Sequence, residues 1–468
     1  MNPLATAVFE RLDAPGKSAR VLITAAGVVD AAGVRAAPGG VLIEAARDAG
    51  DRIGLRLLAA GNPASVQSAC PPGEVIRLDA GSSILIPALV NAHTHLDLTH
   101  LGPRPYEASG GFVGWVDMVR TGRCTEPAAL TASVARGVAL SRCGAVGAVG
   151  DIAGCPPTGP TAQPAIDASH AGMSGTSFLE FFGMGAHRDR GLDRARAAID
   201  GANLPPSGMQ LGLGPHATNT VARPVLRRAL ACTGRPVSIH VAETPEERQF
   251  IASGTGPQRE LLERVGVWDD SILEDIGRGL SPVEHIAQAL AGGEAASRTA
   301  PIALVHVNDC SDRDLELLAR LRRGGVDVHV VYCPRASAYF GTHEVFGPHR
   351  YRRMLDLGIP VALGTDSIIH ADPRHAERLT PWDDMRLLRA RDGMSGDQLL
   401  AMATVAGARA IGISPEPFTF ANPGPLAGVA LVRIDGATDR NDPISTALEQ
   451  GHSPEFLLYN NQSCLTAT

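Results

Sequence analysis

Basic charge is in short supply. Across 468 residues, 42 Lys and Arg stand against 49 Asp and Glu for a net charge of −7, so no global positive field is present to hold a nucleic acid or an anionic membrane. Aromatic residues are scarce too, at 4%, which leaves each one worth locating. The eight cysteines, scattered from Cys70 to Cys464, form no C-x-x-C pair and lack the density of a disulfide framework, which makes a reducing, cytoplasmic compartment the expected location. No apolar run reaches the roughly 18 residues needed to span a bilayer. The first residues, MNPLATAVFERLDAPGKSAR, lack a basic region followed by an apolar one, so no export signal is read. What is present is 44% hydrophobic and 19% charged residues, enough for a large globular core and far from the composition of a disordered chain.

The length corresponds to about three typical domains, or to one large α/β barrel with an appendage. Residues 20–80 contain short β-prone pieces, RVLITAAGVV, GGVLIEAARD and EVIRLDA, separated by Gly, Pro and Asp clusters that supply turn geometry. From residue 84, short apolar runs alternate with longer stretches of helical spacing, the pattern of βαβ units on a parallel sheet. The runs are ILIPALV (84–90), AVGAVGDIA (145–153), TSFLEFFG (176–183), MQLGLGPH (209–216), VSIHVAE (237–243), IALVHV (302–307), VDVHVVY (326–332) and IPVALGTD (359–366). Eight such runs predict a (β/α)8 TIM barrel. Segment 312–325, DRDLELLARLRRGG, has apolar residues at three-to-four spacing and ends in a Gly pair, as a capped helix does. The interval 244–301 is long enough for an inserted helix pair, and 381–412 reads as two or three helices. The tail returns to β-like pieces, LAGVALVRIDG and EFLLYN, with no core of their own. They are expected to join the N-terminal strands in a small β-sandwich domain built from both chain ends, residues 1–83 and 413–468, around a barrel at 84–412.

Functional residues of such a barrel project from the C-terminal ends of its strands. Here the first run ends in N-A-H-T-H (His93, His95), the second in Asp151, and the third carries Glu180. The fourth ends at His216, the fifth gives H-V-A-E (His240, Glu243), the sixth His306 and the eighth Asp366. Alternation points residues i and i+2 the same way, so His93 and His95 face one metal from a single strand end. An H-x-H pair alone is a weak signal, because a single buried His near a strand end is more often hydrogen-bonded core. A further His on the fifth strand and an Asp on the eighth turn the pair into a ligand set. Imidazoles with one carboxylate suit zinc, iron or manganese better than calcium or magnesium.

Five segments in order, PALVNAHTHLDLTHLG (87–102), GPHATNTV (214–221), IHVAETPEE (239–247), VVYCPRASAYFG (330–341) and VALGTDS (361–367), resemble the amidohydrolase superfamily. Within it they are most similar to the branch of triazine chlorohydrolases and of S-adenosylhomocysteine, guanine and aminodeoxyfutalosine deaminases. The resemblance implies that His93, His95, His240 and Asp366 hold one divalent metal ion, zinc or else iron or manganese. It implies that Glu243 is the acid/base at the substrate ring nitrogen and that His306 orients the attacking nucleophile or the substrate. Members with two metals carry a carboxylated Lys at the end of the fourth strand; that strand ends G-P-H-A here, so a single ion is expected.

The chemistry accounts for such a set. Deamination of an amidine-like ring carbon needs a strong nucleophile at neutral pH and protons delivered to two different nitrogens. A bound divalent metal lowers the pKa of its water to about 7. Asp366, ligand and base at once, would take the water proton and pass it to the leaving ammonia. Glu243 would protonate the ring nitrogen, and needs a partly desolvated pocket to keep its proton at pH 7. The plainer use of Glu243 is as a cap or surface carboxylate ahead of a helix starting near Pro245.

On the substrate side, Trp115 lies 20 residues past His95, where a Trp lines the pocket of the resembled deaminases; its alternative is a core position on a helix. His216 matches a fourth-strand His that contacts substrate in those relatives. Arg335, in C-P-R, would offer a bidentate fork to a substrate carboxylate, or else serve in a surface salt bridge. Three departures from the family pattern, Thr218-Asn219 for the usual Pro-Tyr, Tyr332 for His, and C-P-R-A-S for C-P-x-S-N, are expected near the substrate. Among the other histidines His100 is a candidate for the layer behind the ligands, whereas His349 and His370 have no positional argument and are read as surface or structural. The expected protein is therefore a metal-dependent aminohydrolase acting on an aromatic N-heterocycle, such as a purine or nucleoside derivative of the aminodeoxyfutalosine kind, a pterin or a triazine. The alternatives are hydrolysis of a cyclic amide or a carbon-halogen bond on the same fold, or a non-catalytic assembly protein. The expected partner is a small-molecule substrate, with no nucleic acid and no membrane, and the resemblance suggests a homodimer.

Overall fold

Barrel strands form where apolar runs can be buried on both faces. The computed structural model describes residues 3–460 apart from 186–187, 206–207, 233, 292–297 and 437–441. Eight parallel strands succeed one another in sheet order: β1 (Leu89–Thr94), β2 (Val146–Ala153), β3 (Ser174–Phe181), β4 (Gln210–Pro215), β5 (Val237–Val241), β6 (Ile302–His306), β7 (Val328–Tyr332) and β8 (Val361–Leu363). Every residue of β1, β2, β3 and β5 to β8 is buried, as in parallel sheets covered on both sides, whose strands read as near-continuous apolar runs. The ring closes where Thr94 bridges to Asp366. Beside that bridge, Asn91 Nδ2 donates to the Thr365 hydroxyl at 2.8 Å, and Asn91 Oδ1 accepts the Thr365 N–H at 3.0 Å. The seam thus brings the ends of β1 and β8 together, with His93 and Asp366 on its two sides.

The run expected as the first barrel strand divides between two sheets. Ser83–Pro87 pairs antiparallel with Gly428–Arg433, and β1 begins only at Leu89. Ala88 is the point of change, for its N–H still donates to Gly428 while the N–H of Leu89 donates to Ala145, next to β2.

Two five-stranded sheets draw on both ends of the chain. One orders Gly424–Leu426, Ile53–Gly61, Gly39–Arg47, Ser18–Ala25 and Ile76–Asp79; the other orders Glu455–Tyr459, Gly428–Arg433, Ser83–Pro87, Gly27–Val29 and Arg35–Ala36. Val21, Ile43 and Leu57 of the first share an apolar core with Leu85, Val429 and Leu431 of the second.

Local signals set the helices. Asp312–Arg323 starts in a capping box of Ser311 and Asp314 and stops at Gly324. Between β5 and β6 the chain inserts Pro245–Ser253 and Pro257–Arg264 ahead of Pro282–Leu290, and Phe250, Leu262 and Ile272 bury together there. After β8 come the helices Pro381–Asp392, Gly396–Met402 and Val405–Ala410, and later Pro443–Gln450. Ala408, Ile411 and Phe418 pack on Val90, Ala148 and Phe178 and plug the N-terminal end of the barrel, which leaves the C-terminal strand ends as the open face. Among the described residues no helix is long and apolar enough to cross a membrane.

Candidate active site

The C-terminal strand ends converge on one cluster of imidazoles and carboxylates. His93 lies in β1 and His95 directly follows it, His240 comes from β5, and His306 is the last residue of β6. Asp366 follows β8, and both the Thr365 and Asp366 N–H groups donate to the His93 carbonyl at 3.0 Å. Ligand atoms of His93, His95 and Asp366 lie within 4.8 Å of one another, as do those of His93, His240 and His306 and those of Glu243, His306 and Asp366. Asp366 Oδ1 is 3.4 Å from His95 Nε2 and 3.9 Å from His93 Nε2. Asp366 Oδ2 is 4.0 Å from His306 Nε2, which is itself 3.4 Å from Glu243 Oε1.

This group fits a divalent cation. Both ring nitrogens of His93 and of His306, and Nδ1 of His95, are buried without a hydrogen-bond partner, a costly state that a cation relieves. His240 Nδ1 lies 2.6 Å from the His216 carbonyl; a carbonyl only accepts, so Nδ1 carries the proton and Nε2 keeps its lone pair for a metal. Burial, followed by the neighbouring imidazoles, pushes His93, His95 and His306 well below the ordinary histidine value, and so holds them in the neutral, metal-binding form. Burial also raises Asp366 to about 7.

Glu243 is held at a fixed place beside His306. Its N–H donates to Glu247 Oε2 at 2.7 Å, and its carbonyl accepts from Asn308 Nδ2 at 3.1 Å. The other face of the Glu247 carboxylate accepts the Ala242 N–H at 3.0 Å and the Thr218 hydroxyl. Burial first, then the charge of Asp366, pushes the Glu243 carboxyl well above the usual range, so its side chain favours the protonated form. The cap of the helix Pro245–Ser253 is Thr244 rather than Glu243, which leaves Glu243 free for the cluster.

Around the mouth, Trp115 stands half-buried on helix Gly111–Gly122 and stacks on His370, with ring centroids 5.5 Å apart at 24°. Across the site, His216 lies 5.3 Å from the His240 ring and 4.7 Å from that of Phe182, which is exposed. Burial lowers His216 to about 4. Asp151 does not reach the cluster: its carboxylate accepts the Leu96 N–H at 3.0 Å and the Ser177 hydroxyl at 2.8 Å, bracing the loop behind His95. Glu180 accepts the Cys155 N–H at 3.1 Å and lies 3.9 Å from His216. His100 Nε2 sits 2.7 Å from the Gly122 carbonyl and ties the Trp115 helix to the end of β1.

Arg335 is not brought to the substrate side. Its Nε and Nη2 donate to Asp384 Oδ2 at 3.0 and 2.8 Å, and Nη2 also donates to the Thr380 carbonyl at 3.1 Å. Asp384 is fully buried, so the pair is an internal one and the guanidinium fork is already engaged. Two of the three departures from the family pattern are likewise turned to other uses. Thr218 clamps Glu247, and Tyr332 is buried under His349, stacked at 3.7 Å and 12°.

A family model described as the amidohydrolase family matches residues 84–416. The chain belongs to the amidohydrolase family. It is 29% identical over 381 residues, 77% of this chain and 81% of the relative, to an aminodeoxyfutalosine deaminase of Deinococcus radiodurans. It is 24% identical over 446 residues, 88% of this chain and 84% of the relative, to a 5'-deoxyadenosine deaminase of Methanothermobacter thermautotrophicus. Among solved structures, aminofutalosine deaminase from Helicobacter pylori superposes with a TM-score of 0.69 at 17% identity, covering 95% of this chain and 99% of that one. A zinc-bound adenosine deaminase from Xanthomonas campestris gives 0.65 at 17% identity, covering 96% and 95%. These two share the fold.

Two residues of this amidohydrolase site were passed over in the sequence. His370 is buried, with Nδ1 3.5 Å from Asp366 Oδ2, although it lies beyond the strand end in a turn. Glu247 reaches Glu243 only because one turn of helix brings its side chain back over the β5 end. The spacing H-x-x-E-x-x-x-E is the only signal by which it could have been found.

Proposed function

We propose that this amidohydrolase deaminates an aromatic N-heterocycle, a purine nucleoside derivative in the first place, with a single zinc ion held by His93, His95, His240 and Asp366. The observation that carries the reading is Glu243, a largely buried carboxyl 3.4 Å from His306, whose pKa burial and the nearby Asp366 charge push upward. Ring-nitrogen protonation needs an acid of that kind, because a carboxyl of ordinary acidity is deprotonated at neutral pH. A divalent ion held by these residues would supply a water acidic enough to lose a proton near pH 7. Asp366 accepts that proton, Glu243 delivers its own to the ring nitrogen as the C–O bond forms, and His306 keeps the reacting oxygen in line. The proton on Asp366 then goes to the amino group as the C–N bond breaks and ammonia leaves, while Glu243 recovers the proton of the new hydroxyl.

A single ion is supported by the fact that the only lysine in the chain, Lys17, adjoins strand Ser18–Ala25 of a small sheet and is absent from the barrel. With Arg335 committed to Asp384, preference for a carboxylate-bearing nucleoside rests on the Deinococcus radiodurans relative. Phe182, exposed beside His216, offers a face for a planar base, whereas the Trp115 ring is stacked against Phe112 and His370. A homodimer in the cytoplasm is part of the same reading. The test is ammonia release by zinc-loaded protein over adenosine, 5'-deoxyadenosine, S-adenosylhomocysteine, aminodeoxyfutalosine, guanine, pterins and triazines. We expect a hit among the nucleosides, with Glu243→Gln lowering kcat by about 10²- to 10⁴-fold at unchanged zinc content. Silence across the panel with one zinc bound per chain would overturn it.

A further inference from the structure

We infer that His370 is a positioning residue for the deamination, holding through its Nδ1 the oxygen of Asp366 that carries the proton. The inference rests on the function proposed above and adds to it a residue that acts through Asp366. The two oxygens of that carboxylate face different company. Oδ1 accepts the Ser367 N–H at 2.7 Å and looks toward Nε2 of His95 and His93, at 3.4 and 3.9 Å. Oδ2 looks toward His306 Nε2 at 4.0 Å and His370 Nδ1 at 3.5 Å. One oxygen thus belongs to the ligand side and the other to the proton-transfer side, and His370 touches only the second.

The imidazole of His370 is fixed by packing. Trp115 stacks on it at 5.5 Å, and Tyr339 and Phe340 meet it edge-on at 4.7 and 5.1 Å. Its backbone is set by the turn Ile368–His370, which Ser367 opens by accepting the Ile369 N–H on its hydroxyl at 3.1 Å. Both ring nitrogens are buried without a hydrogen-bond partner. Among the described residues, Asp366 Oδ2 is the one carboxylate oxygen within 4.0 Å of either nitrogen. Contacts of this length in an unloaded site commonly close to hydrogen bonds when the site is filled. A neutral Nδ1–H donating to Oδ2 leaves that oxygen a lone pair for the water proton.

Three variants separate the donor from the ring. His370→Asn keeps a donor near Nδ1 and loses the stack; His370→Phe keeps the stack and loses the donor; His370→Leu is a second donor-free form should the Phe variant not fold. For each, kcat and KM are measured with the best nucleoside, metal content by elemental analysis, and the visible absorption of the cobalt-substituted protein. The donor-free variants should lose roughly 10- to 100-fold in kcat with KM within about twofold, full metal content and a shifted cobalt spectrum. His370→Asn should recover most of the rate and the wild-type spectrum. A donor-free variant with wild-type kcat and spectrum, or an Asn variant no better than the Phe variant, would overturn the assignment. If the wild type deaminates nothing, the proposed function fails, and the cobalt spectra alone decide whether His370 acts on Asp366.

Discussion

Replacing Glu247 by Gln asks whether the turn that carries Glu243 depends on a buried carboxylate. All the neighbours of that carboxylate are donors: the Ala242 N–H at 3.0 Å and the Thr218 hydroxyl on Oε1, and the Glu243 N–H at 2.7 Å on Oε2. Ala242 sits in the left-handed region at φ 54°, a conformation that costs a non-glycine residue about 1–3 kcal/mol and persists only where contacts enforce it. A glutamine side chain has one oxygen, so in either orientation its NH2 group confronts a backbone N–H and leaves it buried without an acceptor. Such a loss costs about 1–3 kcal/mol. Expressed wholly as displacement of Glu243 it lowers kcat by about 5- to 150-fold, with KM nearly unchanged because Glu247 does not line the mouth.

A second readout carries a definite sign. Burial lifts the Glu247 carboxyl from 4.5 to about 7. The unfolded chain loses this proton near pH 4.5 and the folded chain near pH 7, so unfolding between those values releases a proton and stability falls as pH rises through the window. At 1.36 kcal/mol per pKa unit the fall is roughly 3 kcal/mol. Gln has no such titration. The stability advantage of wild type over Glu247→Gln, measured by urea unfolding, should therefore be larger at pH 5 than at pH 7.5. A variant with wild-type kcat, or a stability difference independent of pH over that range, would refute the reasoning.

Two further outcomes follow from the same geometry. Arg335→Met leaves Asp384 buried without its partner and should cost about 3–5 kcal/mol in urea unfolding, while the kcat/KM ratio between carboxylate-bearing and uncharged nucleosides stays constant; a changed ratio would return Arg335 to the substrate. Chelation should lower the melting temperature of wild type, since an ion at 100 to 1,000 times its dissociation constant contributes about 2.7–4.1 kcal/mol, whereas a His93→Ala protein should melt at the same temperature with and without chelator.

Much of the barrel could be read from the chain because parallel strands buried on both faces leave short apolar runs, and because the side chains of the candidate site sit where those runs stop. His93, His95, His240, His306 and Asp366 all lie within three residues of a strand end. What escaped did so for physical reasons. Strand Ile53–Gly61 carries a Leu-Leu-Ala-Ala stretch that spoils the alternation of a half-exposed strand. The passage from one sheet to another at Ala88 leaves no mark in an unbroken apolar run. The partner of Arg335 is Asp384, 49 residues away, and nothing in C-P-R distinguishes a fork aimed at substrate from one aimed at a buried carboxylate. His370 is displaced from its strand end by a turn, so the rule that found the other histidines passes over it.

The strain in the backbone accounts for why that rule works as well as it does. Among the described residues six non-glycines have positive φ, and four of them, Ala242, His306, Val307 and Asp366, are at the ends of β5, β6 and β8. A left-handed residue at a strand end turns the chain out of the extended path, so the strand stops there. The conformations are held from neighbouring strands: Asp366 N–H by the His93 carbonyl at 3.0 Å, Val307 N–H by the Val241 carbonyl at 2.9 Å, and Asp309 N–H by the Ala242 carbonyl at 3.1 Å. Each of these strand ends is therefore locked to another. The cluster is assembled by the closing of the barrel, so a cation would meet a set of neutral imidazoles whose positions the strands have already determined.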